Sequence, residues 1–134
     1  MTQKSEVGQL GEDIACEYLV KNGYSVLVRN YRRKWGEIDV VAKSKDETLV
    51  FFEVKTMTES KGGLEPEDQA STSKLNRIKR TCEAFVGNNP NLVSENRGWR
   101  IDLLAVLLPR PASPLIHSGK GVVIRHYQNV GRGW

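Results

Sequence analysis

The run Arg100–Leu108, RIDLLAVLL, constrains the fold more than any other segment. Its apolar residues do not alternate with polar ones, so a strand built from it needs cover on both faces. A central strand with helices packed on each side of its sheet supplies that cover. Asp102 interrupts the run beside Arg100 and reads as structural. The chain is therefore expected to be α/β, and the remaining segments have to provide the sheet neighbours and the covering helices.

Ser5 to Asn22 reads as the first helix. Val7, Leu10, Ile14, Tyr18 and Leu19 recur at helical spacing, and Gly23 stands where a C-terminal cap belongs. Tyr24 to Tyr31 is a strand rich in β-branched and aromatic residues. Glu37–Lys43 and Thr48–Lys55 form an antiparallel hairpin around the polar turn Ser44–Glu47. A loop from Thr58 to Pro66 precedes a second helix, Glu67 to Val86, with a buried stripe of Leu75, Ile78, Cys82, Phe85 and Val86. Asn88–Gly98 and the proline-rich Pro109–Gly119 are loops. Gly121–Tyr127 is a last strand, paired most simply with Arg100–Leu108. The order αβββαββ describes one mixed sheet flanked by helices.

At 134 residues, 39% hydrophobic and 27% charged, the expectation is one globular domain over residues 1–134. No stretch approaches the ~18–20 apolar residues of a membrane span. The N-terminal segment lacks the apolar run of a signal peptide. Cys16 and Cys82 stand in no metal-binding spacing and read as reduced thiols, so a cytoplasmic location is expected. Residues 1–67 hold ten basic and twelve acidic side chains, and residues 68–134 hold ten basic and four acidic. The second half thus suits an anionic partner, and the acids of the first half need individual explanation.

The hairpin carries the chemistry. With Asp46 at the turn centre, Asp39 faces Glu53, Glu37 faces Lys55 and Val41 faces Phe51. Ile38, Val40, Ala42, Val50, Phe52 and Val54 then form a wholly apolar face on the core. Facing carboxylates repel at the ~5 Å between opposite Cβ atoms. Placed inside apolar runs, they ask for a cation between them. One or two carboxylates with water in the remaining positions is a ligand set that Mg²⁺ accepts. Lys55 shares the face with Glu53. The plainer reading is a solvated edge face with Glu37–Lys55 as an ordinary cross-strand pair.

Asp39, a turn, then Glu53-Val54-Lys55 resembles the D…(D/E)xK signature of the restriction-endonuclease-like fold. The closer resemblance is to the YraN-like family of uncharacterised proteins, itself similar to archaeal Holliday junction resolvases. It is carried by GQLGEDIACEYL (Gly8–Leu19), RNYR (Arg29–Arg32), GEIDVVA (Gly36–Ala42), FFEVKT (Phe51–Thr56), the helix bearing Lys74 and RIDLLAV (Arg100–Val106). Ile38 replaces the proline of the PD dipeptide, and Trp35 puts a large aromatic before GEID, a departure expected to alter the rim of the site.

The resemblance implies an αβββαβ core and a Mg²⁺- or Mn²⁺-dependent endonuclease acting on DNA, with branched or structured DNA as the favoured class. Asp39 and Glu53 are expected to hold the metal, helped by the Val54 carbonyl. Lys55 is expected to orient water or neutralise developing charge. Glu12 is expected at the site as a further ligand or outer carboxylate. Its place on the wheel does not tell which flank of the helix faces the hairpin, and Asp13 and Glu17 occupy the other flank. Arg29, Asn30, Arg32, Arg33, Lys34 and Lys74 are expected along the nucleic acid, and Gln69 near the second helix start is a further candidate. A two-fold dimer would suit a four-way junction. His117 and His126 have no nucleophile or second ligand at a useful spacing. The competing expectations are a nucleic-acid-binding module without turnover and a protein-interaction role with a purely structural cluster.

Overall fold

The computed structural model describes residues 5–58, 72–109 and 121–131. Helix α1 (Glu6–Lys21) is followed by strands β1 (Ser25–Arg33), β2 (Gly36–Lys43) and β3 (Leu49–Thr58). Helix α2 (Thr72–Asn88), a 3₁₀ turn at Pro90–Leu92 and strands β4 (Trp99–Leu108) and β5 (Val123–Tyr127) complete the order. The five strands make one sheet in the order β1-β2-β3-β4-β5, antiparallel except for the parallel β3–β4 pair. This is the expected mixed α/β sheet, and the order αβββαββ contains the αβββαβ core that the resemblance implies. The loops at Thr58–Pro66 and Pro109–Gly119, the expected start of the second helix at Glu67, Gln69 and His117 lie wholly or largely outside the described residues.

The parallel pair explains β4. Every residue from Ile101 to Leu108 is buried. On one face of the sheet, Leu104, Val106 and Leu108 join Val40, Ala42, Val50 and Phe52 under Ile14, Ala15 and Leu19 of α1. On the other face, Ile38, Val41, Leu49, Phe51 and Ile101 pack on Ile78, Cys82 and Phe85 of α2. Burial pushes the Cys82 thiol far above its ordinary pKa, which makes it an inert core group. Neither cysteine is in a disulfide. Among the described residues, no helix is long and apolar enough to cross a membrane.

Local chemistry sets the element ends. The Ser5 hydroxyl accepts the Gly8 N–H at 3.0 Å and caps α1. At its other end Gly23 takes φ +89°, the left-handed conformation that lets the chain leave the helix. In the β2–β3 turn, Asp46 Oδ1 accepts bonds from the Ser44 hydroxyl, the Thr48 hydroxyl (2.7 Å) and the Thr48 N–H (3.1 Å). These bonds hold the exposed Asp46 carboxyl below the usual carboxylate range. They also fix the register, Lys43 to Leu49 through Val40 to Phe52, which is the register expected from a turn centred on Asp46.

Candidate active site

The ladder departs from expectation at the position that matters. It ends at Val40–Phe52, and Asp39 and Glu53 are not partners in it. Ile38 belongs to the α2-side core while Val40 belongs to the α1-side core. Residues two apart on a regular strand share a face, so β2 turns over at Asp39. On the neighbouring strand, the pairs Arg29–Val40 and Tyr31–Ile38 bracket Asn30, whose φ is +55°. Both strands therefore kink at one level. The single apolar face expected for the hairpin is corrected accordingly: Ile38 crosses to the other side.

Where the strands part, the Asp39 carboxylate enters the gap. Its Oδ2 accepts the Val54 N–H at 2.8 Å, and the residue is 7% exposed. Glu53 lies nearby on β3, mostly buried, with Oε1 2.7 Å from Lys74 Nζ of α2. The expected Glu37–Lys55 pair is not formed among the ion pairs of the described residues. Glu37 instead meets Arg32 at 3.2 Å, because the β1–β2 register sets those two residues opposite each other. Lys55 lines the cleft beside Glu53.

Helix α1 completes the site through a close approach. A Cβ on Gly11 would overlap the Thr56 side chain, so a residue without one lets the helix settle onto β3. The next residue, Glu12, is thereby buried to 1% exposure and lines the same cleft as Asp39, Glu53 and Lys55. This settles the flank that helical periodicity left open. Asp13 and Glu17 lie exposed on the other flank. The cleft has a volume of about 530 Å³ and opens where the N-terminal ends of α1 and α2 meet the C-terminal part of β3. A neighbouring pocket lined by Gly36 and Glu37 shares Asp39, Glu53 and Lys74 with it.

The basic residues divide. Arg29 Nη2 pairs with Asp13 at 2.7 Å and with Glu12 at 3.4 Å, so it braces α1 against β1. The Asp13 hydrogen bond raises the Arg29 pKa further. Asn30 Oδ1 is buried without a hydrogen-bond partner. Arg33 stacks over the Tyr31 ring at 4.1 Å. Lys34 is exposed at the β1–β2 turn, and Lys74 lines the cleft. Lys74 thus lines the cleft and Arg32 meets Glu37 of the neighbouring pocket, Arg33 and Lys34 are exposed at the end of β1 and its turn, and Arg29 is tied to α1 at the surface.

A second buried acid, Asp102, has partners beyond Arg100 that the sequence did not reveal. Asp102 is fully buried and accepts from Arg100 Nε at 3.0 and 3.2 Å and from the Asn129 N–H at 2.8 Å. His126 Nε2 lies 2.8 Å from its Oδ2. The structural role expected of Asp102 beside Arg100 is seen, and the unassigned His126 turns out to be its partner. The only sequence signals were an acid inside a buried run and the expected pairing of the last two strands.

The fold and the site together define an α/β protein with a mixed five-stranded sheet between two helices and a cleft lined by carboxylates and lysines. The chain belongs to the uncharacterised protein family UPF0102, whose model matches residues 11–106. This is the family of the YraN-like resemblance. A UPF0102 protein of Dictyoglomus turgidum is 40% identical over 103 residues, 77% of this chain and 83% of that one. A UPF0102 protein of Streptomyces griseus is 37% identical over 122 residues, 91% of this chain and 99% of that one. Among solved structures, a repair endonuclease from Pyrococcus abyssi is similar with 15% identity and a TM-score of 0.42, over 82% of this chain and 41% of that one. This chain thus spans about two fifths of that protein's length.

Proposed function

We propose that the protein is a metal-dependent endonuclease that hydrolyses phosphodiester bonds in DNA, with branched or structured DNA as its substrate class. The observation that carries this reading is the convergence of Glu12, Asp39 and Glu53 with Lys55 in one open cleft. Burying carboxylates is costly unless something repays it. Here three elements are bent or brought close so that acids line one cleft.

The donors fit a hard divalent cation. Among the described residues no three His, Cys, Asp or Glu side chains stand together as a ready-made cage. Mg²⁺ does not need one, because it retains water and takes one or two carboxylates. Asp39 and Glu53, with the Val54 carbonyl, would hold it. When bound, such a cation lowers the pKa of water and offsets charge on the phosphate.

The chain's own residues supply the rest. The Val54 N–H fixes the Asp39 carboxylate in the gap. Lys74 neutralises Glu53 before a cation arrives. Lys55 presents a cation to charge that develops on the phosphoryl oxygens, an interaction that strengthens in the transition state. Arg32, Arg33 and Lys34 hold backbone phosphates without reading bases.

The Lys74–Glu53 ion pair also supports a second reading, in which a built-in counter-ion leaves a nucleic-acid-binding module without turnover. Titrating Mg²⁺ and Mn²⁺ over linear, flapped and four-way DNA separates the two. The nuclease binds and cuts only with metal. The binding module binds without cutting. Absence of both would reject each reading.

A further inference from the structure

The β1–β2 turn carries a residue that folding does not explain. The pair Arg33–Gly36 closes this hairpin, so its loop is the two residues Lys34 and Trp35. Two-residue hairpin loops favour Asn-Gly or similar pairs, because the favoured turns need positive φ. Neither Lys34 nor Trp35 has positive φ. Burial holds the indole only in part. Trp35 is 40% exposed and belongs to neither apolar core, and among the described residues no aromatic ring or cation stacks on it. A large apolar ring is therefore displayed at a tip where turn chemistry favours small polar residues.

Its surroundings indicate what it meets. Arg32, Arg33 and Lys34 precede it and are exposed. Gly36, the next residue, lines the pocket that contains Asp39 and Glu53. At ~3.3 Å per strand residue, the tip lies about 13 Å along β2 from Asp39. At ~3.4 Å per nucleotide of a duplex strand, that distance is about four nucleotides. An exposed aromatic among cations beside a phosphate-handling cleft is the arrangement that stacks unpaired bases.

We propose that Trp35 is a base-stacking platform for an unpaired nucleobase about four nucleotides from the scissile phosphate, and that it gives the protein a preference for DNA with unpaired bases over continuous duplex. In duplex DNA every base is already stacked on its neighbours, so the indole gains little there. A base freed at a branch, flap or gap can settle on the ring while the adjacent cations hold its phosphates. The inference rests on the nuclease reading only for the placement of the scissile phosphate.

The test is fluorescence anisotropy with the full chain and Ca²⁺ as the cation. The ligands are a duplex and the same duplex with an unpaired tract, with strand integrity checked on a denaturing gel afterwards. Trp35→Ala should lower affinity for the unpaired tract about tenfold and for the duplex by less than about twofold. Trp35→Phe should restore most of the loss. Thermal melting of Trp35→Ala should match the wild type, because the ring lies outside both cores. Equal losses on the two DNAs, or no loss on either, would overturn the platform while leaving the nuclease reading intact. Failure of the wild type to bind either DNA would overturn both.

Discussion

Two sets of acids stand in this fold, the single carboxylate of Asp102 and a group of three, and they differ in how they are enclosed. Asp102 is saturated: Arg100, His126 and the Asn129 N–H converge on its two oxygens, and aromatic rings of Tyr24 and Phe52 lie against His126. Across the sheet, Asp39, Glu53 and Glu12 line an open cleft and share it with Lys55 and Lys74. A buried acid is thus not by itself a sign of a site. Enclosure with every oxygen answered marks a structural clamp, here fastening β5 and the following segment to β4. Acids lining an open volume are where the proposed chemistry would take place.

The largest expected effect falls on the open cluster. Lys55→Ala should slow cleavage by about 10²–10³, the loss typical when one preorganised donor to developing charge is removed. DNA and metal binding should be largely kept. Single-turnover assays on a branched substrate measure this, and cleavage at the wild-type rate would reduce Lys55 to a surface cation.

The next effect falls on the closed cluster. Asp102→Ala should cost about 3 kcal/mol of stability, because it leaves Arg100 and His126 around an unanswered buried position. Urea unfolding measures it, with DNA affinity per folded molecule unchanged. The pH dependence sharpens the contrast. Burial alone would raise the Asp102 pKa, but hydrogen bonds from His126, Arg100 and the Asn129 N–H outweigh it and hold the carboxyl below its ordinary value. A carboxyl with a depressed folded pKa stabilises the fold above its unfolded value, ~3.9 for Asp, and that contribution is lost as pH falls through the folded value. The wild type should therefore lose more stability than Asp102→Ala on acidification below about pH 4.

The smallest effect is expected for Asp39→Asn in the metal-free protein. An asparagine oxygen can still accept the Val54 N–H, and one negative charge leaves the cleft. Stability in urea should change by less than about 1 kcal/mol. A loss as large as that of Asp102→Ala would make Asp39 a clamp too and erase the distinction.

How much of this was legible in the sequence follows the range of the forces involved. Local chemistry carried the ends of the first helix, the strands and the hairpin register as far as Val40, because caps, alternation and the Asp46 turn act over a few residues. The inversion at Asp39 was not legible, since it depends on a left-handed Asn30 on the neighbouring strand. Nor was the flank chosen by Glu12. The wheel allowed either side, and the decision lies in the close packing of Gly11 on Thr56, for which the glycine just before Glu12 is the only local sign. The His126–Asp102 contact joins residues far apart in sequence through the β4–β5 ladder, where Leu104 meets His126.

The proposed function requires that the cleft carboxylates, and not Asp102, hold a divalent cation. Calorimetric titration of Mn²⁺ into the wild type, Asp39→Asn, Glu53→Gln and Asp102→Asn tests it most directly. Binding is expected for the wild type and for folded Asp102→Asn, with affinity lowered at least about tenfold in Asp39→Asn and Glu53→Gln. Undetectable binding by the wild type, or unchanged affinity in both cleft variants, would contradict it.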